Sequence, residues 1–255
     1  MIRFSAQAYS YSKDPALPGE WEDSAACSVR TGRFAVADGA TQAYRSGEWA
    51  EMLTKAYITS FPAPDGPLGP QRDKVIREWF GDQVHRWHER VPTATSWWAR
   101  DAEREQPPSA AFAGLQLTPY EEDADWEATA IGDCCLFQIR HAQRQLSFPL
   151  ISAAQFNTHP HLLTTAAGRL DGSLGALQTC TGRALPGDIF VLATDAASEW
   201  LLSLDEYDPR SWGRLGFFGS EEFNQMIFEL RAADAIATDD VAVVVIAVTT
   251  DRGAP

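Results

Sequence analysis

The residues best suited to chemistry in this chain are carboxylates at the ends of apolar runs. Asp38 follows Phe34-Ala35-Val36-Ala37, and Asp195 follows Phe190-Val191-Leu192-Ala193-Thr194. Asp239 stands just before the run from Val241 to Val248, and Asp133 sits in the turn Ile131-Gly132-Asp133-Cys134. Each is an acid at the mouth of a strand that reads as buried, where a sheet would fix it and solvent would still reach it. Any one of them has a plain reading as a turn or cap residue. Four at strand ends form a pattern. Carboxylates brought together repel one another, and a hard divalent cation removes that repulsion. Mg²⁺ and Mn²⁺ prefer oxygen donors and keep several waters. Gly39, directly after Asp38, has no Cβ, so its carbonyl can approach an ion closely.

Competing chemistries are poorly represented. The chain has no G-x-x-x-x-G-K-[ST], no G-x-G-x-x-G and no G-x-S-x-G. The histidine pairs His85/His88 and His159/His161 lack a third zinc ligand at a recognisable spacing, and read as surface or packing residues. Cys27, Cys134, Cys135 and Cys180 form no C-x-x-C and read as reduced, core-filling thiols.

The elements that must hold these acids follow from periodicity. Alternation over 2–9 predicts a half-buried strand, and 10–23, with Pro15, Pro18 and Gly19, predicts a loop. Ser24–Val29 and Arg33–Ala37 read as a hairpin broken at Arg30-Thr31-Gly32. From Ser46, a plausible N-cap, Trp49, Met52, Leu53, Ala56 and Tyr57 recur at helical spacing. A second helix carries Val75, Ile76, Trp79, Phe80 and Val84, and a third spans Glu221–Arg231. Strands are expected at Ala111–Leu117, Trp126–Ile131 and Cys135–Ile139. Turns are expected at Asn157, Pro160 and Asp171-Gly172, and loop at 203–219. The continuous apolar runs 189–193 and 241–248 predict strands buried on both faces. Together these predict a layered α/β domain with mostly antiparallel sheets.

Composition narrows the function. With 35 acidic against 21 basic residues the net charge is −14, which disfavours nucleic acid and anionic membrane surfaces as partners. The start of the chain has no apolar leader, and no run approaches the ~20 apolar residues of a membrane span, so a cytoplasmic location is expected. The nine tryptophans read mainly as packing, with Trp97-Trp98 and the stretch 212–218 as exceptions.

Five short motifs occur in a telling order: Glu22-Asp23-Ser24, Val36-Ala37-Asp38-Gly39, Ile131-Gly132-Asp133-Cys134, Ala193-Thr194-Asp195 and Asp239-Asp240-Val241-Ala242-Val243-Val244. This order resembles that of the metal-dependent PP2C-type (PPM) serine/threonine protein phosphatases. The likeness is nearest to a bacterial branch in which the second motif runs into Ser46-Gly47-Glu48-Trp49-Ala50. It covers residues from about 4 to 248 and treats 1–255 as one domain. It implies an α+β fold, a four-layer α-β-β-α sandwich around two central antiparallel sheets. It implies that Asp38 bridges two Mn²⁺ or Mg²⁺ ions, that the Gly39 carbonyl ligates one, and that Asp195 and Asp239 complete the other's shell. Asp133, with Asp195, matches the place of a third, looser ion. Glu22 and Asp23 match the early acidic motif, of which one binds metal directly or through water. A metal pair lowers the pKa of a bridging water and neutralises the phosphoryl oxygens, so no phosphoenzyme is needed. The expected substrate is phosphoserine or phosphothreonine of a protein, with a Ser/Thr kinase as the opposing partner.

The chain departs from the pattern at four places. No base lies in 15–21, where many members carry an arginine that grips the phosphate. Arg45 is the expected substitute, with Arg33 the other candidate. Ala196, Ala110-Ala111-Phe112-Ala113 and Ala242 replace residues more polar or smaller in the family. These departures keep open a regulatory or binding module with weak or no turnover, and an unrelated acidic α/β domain. The segment 205–219 is expected to contribute to substrate selection or to be an ordinary surface loop.

Overall fold

The computed structural model describes residues 1–14, 21–64, 69–90, 96–156, 160–207, 212 and 219–250. In chain order the strands are β1 (Ile2–Tyr11), β2 (Asp23–Ser28), β3 (Arg33–Gly39), β4 (Ser109–Pro119), β5 (Ala124–Ile131), β6 (Cys135–Arg140), β7 (Gln143–Phe148), β8 (Leu163–Thr164), β9 (Gln178–Ala184), β10 (Ile189–Ala193) and β11 (Val241–Thr250). The helices are α1 (Ser46–Ser60), α2 (Pro70–Arg90), α3 (Trp97–Glu105), α4 (Leu170–Gly175), α5 (Asp195–Tyr207) and α6 (Ser220–Ala232).

Two sheets form. One has the order β1-β11-β10-β6-β7, the other β2-β3-β4-β5-β9 with β8 on β4. All pairings between described strands are antiparallel. Strand side chains alternate between faces, and the packing follows that alternation. Phe34 and Val36 of β3 join Leu192 and Val244 between the sheets. Ala35 and Ala37 turn outward, onto Trp49, Leu53 and Tyr57 of α1 and Ile76 and Phe80 of α2. In the other sheet Val191 and Ala193 turn outward under Leu201 of α5 and Phe223 and Ile227 of α6. Three cores therefore separate four layers, α-β-β-α, as the expected fold requires. This also explains why β10 and β11 read as unbroken apolar runs, since both of their faces are covered.

Several elements differ from expectation. Ser46 is not the N-cap of α1 but its first residue. Its hydroxyl donates to the Ala43 carbonyl, and Arg45 takes the cap position in the left-handed region at φ 57°. A tertiary contact sets this helix start. A Cβ on Gly47 would lie 2.2 Å from the Trp21 carbonyl oxygen, so only glycine lets α1 dock against the entry to β2. Asp171-Gly172 falls inside the short helix α4, and residues 203–207 continue α5 rather than forming loop. The turn expected at Asn157 lies outside the described residues.

Behind the second sheet, Arg72 of α2 and Glu127 of β5 form a two-pronged ion pair, with Nε and Nη2 both on the carboxylate, at 2% and 4% side-chain exposure. The same guanidinium donates to the Pro62 and Ala63 carbonyls and lies 5.4 Å from the Phe61 ring centre. Removing one partner would strand a buried charge. Arg72→Ala is expected to cost about 3–5 kcal/mol in urea unfolding, and Arg72→Met with Glu127→Leu far less than either truncation alone. A double variant as unstable as the single one would refute this account.

Candidate active site

The acids gather at one end of the sandwich. Asp23 and Asp38 occupy directly opposed positions on β2 and β3, which places their Cβ atoms ~5 Å apart. Both continue the inward register, Asp38 after Phe34 and Val36, Asp23 before Ala25 and Cys27. They therefore point between the sheets where the apolar filling stops. Asp195 opens α5 at the end of β10, and Asp239 and Asp240 lead into β11, which pairs with β10. Asp133 lies in the turn from β5 to β6, so it arrives from where the chain passes between sheets.

Their mutual fields show the convergence. Burial, then Asp23, Asp195, Asp133 and Asp239, raise the Asp38 carboxyl well above the carboxylate range. Asp23 is raised by burial and by Asp195, Asp240 and Asp239, partly offset by a hydrogen bond from Thr194. Burial and Asp195 push Asp133 up to about 7. Burial and Asp239 push Asp195 to about 6, against a hydrogen bond from Asp38 and the Ala196 N–H at 2.5 Å. Asp23 Oδ2 and Asp133 Oδ1 are buried with no protein partner.

Other residues bind this ring together. The Thr194 hydroxyl accepts the Ala242 N–H at 2.9 Å, so residue 194 supplies a hydroxyl at the point where 242 has none. The Glu22 carbonyl accepts the Gly39 N–H at 3.1 Å. A Cβ on Gly39 would stand 2.8 Å from that carbonyl oxygen and 2.7 Å from Ser46. A cavity of about 370 Å³ reaches Asp23 from outside, lined by Tyr9, Ser10, Trp21, Gly47 and Glu48 among others.

The basic residues are placed differently from expectation. Arg45 is engaged by a neighbour in its own helix turn. Its Nε and Nη2 donate to Glu48 at 2.7 and 2.6 Å, and its guanidinium lies over Trp87. Arg33 is at the far end of β3, ~17 Å from Asp38 along the strand, donating to Gln116. Among the described residues, Lys13 pairs with the acids through its side chain. Its ammonium pairs with Glu22 and lies 3.9 Å from Asp239 Oδ1. It stands two residues before the baseless segment 15–21. Its signal was the cation ending β1's exit, ahead of the two prolines.

The remaining candidates do not converge. His85 faces Glu89 on the surface, and His88 bonds the Thr165 carbonyl. His159 lies outside the described residues. All four cysteines are free, with Cys134 and Cys135 buried. Trp212 is buried against Phe137, 5.3 Å between ring centres, while 208–211 and 213–218 lie outside the described residues. Trp97 and Trp98 are exposed.

A family model described as "Protein phosphatase 2C" matches residues 21–231. The chain belongs to the protein phosphatase 2C family. That membership supports a phosphatase function, and hence a hydrolase. Among solved structures, the catalytic domain of serine/threonine protein phosphatase PstP in complex with two manganese ions superposes with a TM-score of 0.64 at 17% identity, covering 98% of this chain and all of that one. PppA, described as a key regulatory component of the type VI secretion system of Pseudomonas aeruginosa, gives 0.61 at 16% identity, covering 97% and 100%. The Mycobacterium tuberculosis phosphatase PstP/Ppp gives 0.59 at 17%, covering 96% and 98%. At such identities the likeness is one of fold. No curated protein matches the chain.

The acidic cluster of this protein phosphatase 2C family member offers the donor chemistry that hard cations prefer. Its donors are oxygens, and two buried carboxylate oxygens, Asp23 Oδ2 and Asp133 Oδ1, lack protein partners. Among the described residues no three acidic, imidazole or thiol groups are grouped to hold one ion by themselves. Mg²⁺-type ions need only one or two carboxylates each, with water filling the rest.

The raised acids set a pH dependence. Asp133 and Asp195 hold protons in the folded state that they release when unfolded, so the folded form binds more protons from about pH 4 up to about pH 7. Stability of the metal-free protein should therefore fall as pH rises through that window. Melting in EDTA at pH 5 and 7.5 checks this, with the lower Tm expected at 7.5. Asp38→Asn should raise the metal-free Tm at pH 7.5 by a few °C, at about 2–4 °C per kcal/mol. A flat profile would show that the carboxyls do not repel one another.

Proposed function

We propose that this chain is a metal-dependent phosphomonoesterase, a single domain acting on phosphoserine and phosphothreonine of proteins. The observation that carries the reading is the convergence of Asp23, Asp38, Asp133, Asp195 and Asp239 at one end of the sandwich, where burial and neighbouring acids raise the carboxyls of the first four. Asp38 would be shared between two ions and Gly39 would offer its carbonyl. Asp195 and Asp239 would serve one ion, Asp133 a third, with Glu22 and Asp23 contributing directly or through water. Bound there, Mn²⁺ or Mg²⁺ would supply acidified water and neutralise phosphoryl charge.

The chain's own groups do the rest. Asp23 and Asp38 are fixed by strand pairing, so little reorganisation is needed when charge develops. Asp195 is held by the Ala196 N–H at the start of α5, where the helix N-terminus favours its ionised form. The cavity reaching Asp23 gives an extended, phosphorylated segment a path between α1 and the edges of β1 and β2. Lys13 places one ammonium 3.9 Å from Asp239 Oδ1, where it would meet phosphoryl oxygens as a point charge. The opposing partner on this reading is a protein Ser/Thr kinase, in a cytoplasmic setting.

Hydrolysis of p-nitrophenyl phosphate and of phosphoserine peptides, with and without Mn²⁺, tests the reading. Mn²⁺ should stimulate both, and Asp38→Asn should lower kcat by about 10²–10³-fold. Release that ignores Mn²⁺ or survives Asp38→Asn would defeat it. Lys13→Ala should raise KM about tenfold, and Arg45→Ala should leave KM within about twofold, because Glu48 already holds Arg45.

A further inference from the structure

The ends of the segment joining the two sheets are tied by residues outside the acidic ring. Asp240, 1% exposed, accepts the Lys13 N–H on Oδ1 at 2.7 Å and the Glu22 N–H on Oδ2 at 2.9 Å. One carboxylate thus closes the crossing from β1, the edge of the first sheet, to β2, the edge of the second. On the other side of the same turn, Arg231 of α6 donates through Nη1 to the Ser12 carbonyl at 2.8 Å and through Nη2 to the Asp239 carbonyl. Its guanidinium lies 4.7 Å from the centre of the Tyr11 ring, and its Nε is buried with no partner. Asp239 is further fixed by its own N–H to the Ala237 carbonyl, and its Oδ1 accepts the Asp240 N–H at 2.8 Å.

We propose that Arg231 and Asp240 are positioning residues, a clasp that sets where Glu22, Asp23 and Asp239 stand relative to one another. This rests on the metal-site reading above. Two of the tied backbones belong to proposed ligands, and a third carries Lys13. The guanidinium is suited to this role because its planar fork reaches two carbonyls at once, whereas an ammonium is a compact point charge. Partners behind metal ligands typically change metal affinity 10–100-fold when removed.

Arg231 gives a test whose sign separates positioning from charge. Removing a cation beside an acidic ring tightens a divalent ion if only electrostatics acts. Losing the clasp weakens it. Calorimetric titration with Mn²⁺ alone, together with Tm, should be run on wild type, Arg231→Ala, Arg231→Lys and Asp38→Asn. Arg231→Ala is expected to weaken Mn²⁺ binding about 10–100-fold, with Arg231→Lys between it and wild type. In p-nitrophenyl phosphate turnover, saturating Mn²⁺ should restore most of kcat to Arg231→Ala. If Arg231→Ala fails to fold, Arg231→Lys alone decides. Unchanged or tighter Mn²⁺ binding in a folded Arg231 variant, with binding still lost in Asp38→Asn, overturns the clasp and leaves the metal reading standing. No Mn²⁺ binding by wild type overturns both.

Discussion

Repulsion among buried carboxylates is the constraint on which the rest of this structure depends. A folded protein avoids placing acids together out of water, because each desolvated charge costs several kcal/mol and each neighbour adds to it. Here burial leads the causes that raise Asp23, Asp38, Asp133 and Asp195, and other acids follow. Such an arrangement persists only if the scaffold is rigid enough to impose it. The scaffold is the paired strand ends of two sheets. Asp23 and Asp38 cannot separate without breaking the β2–β3 ladder, and Asp195 cannot leave without moving β10 or unwinding α5.

The sandwich makes this possible through parity. Every second residue of β2, β3, β10 and β11 faces the space between the sheets, and apolar side chains fill it over most of its length. The inward series runs Phe34, Val36, Asp38 on one strand. The change from apolar to acidic therefore occurs at one depth, where the strands leave the core and their backbone meets solvent. A slip of one residue in the β2–β3 register would turn Asp23 or Asp38 under α1 instead. Gly47 and Gly39 secure the same end from outside, because each lets the 21–22 backbone approach more closely than any side chain would permit.

What could be read from the residues divides along physical lines. Strands covered on both faces, such as β10 and β11, announce themselves as apolar runs, and the acids that follow them are visible for the same reason. Edge and surface elements do not. β7, Gln143–Phe148, and β9, Gln178–Ala184, are edge strands whose side chains are mostly exposed or half-buried, with little apolar signal. α3 buries only Ala99, so its periodicity has nothing to report. α1 starts one residue earlier than the capping preference of Ser46 predicts, because a tertiary contact at Gly47 outranks that preference. The bases were hardest. Arg45 lies close to Asp38 in the chain, yet a neighbouring Glu48 at i+3 captures it. Lys13 is distant in sequence from Asp239 and reaches it because β1 and β11 pair antiparallel with Tyr11 opposite Val241, so the residues just beyond that pair meet. Spacing along the chain carries no information about a contact made across a fold.

The net charge of −14 adds a condition on any anionic ligand. At physiological ionic strength the field of distant surface acids decays over ~8 Å, so it slows approach more than it weakens a formed contact. Recognition of a phosphorylated segment would then rest on charges within a few ångströms of the ring. Lys13 meets that requirement, but Glu22 and Asp239 already share its ammonium. Whatever neutralises those two acids therefore frees Lys13 as well. On the proposed reading, cation binding at the ring and readiness for an anion would be one event, set by the turn that Asp240 and Arg231 tie together.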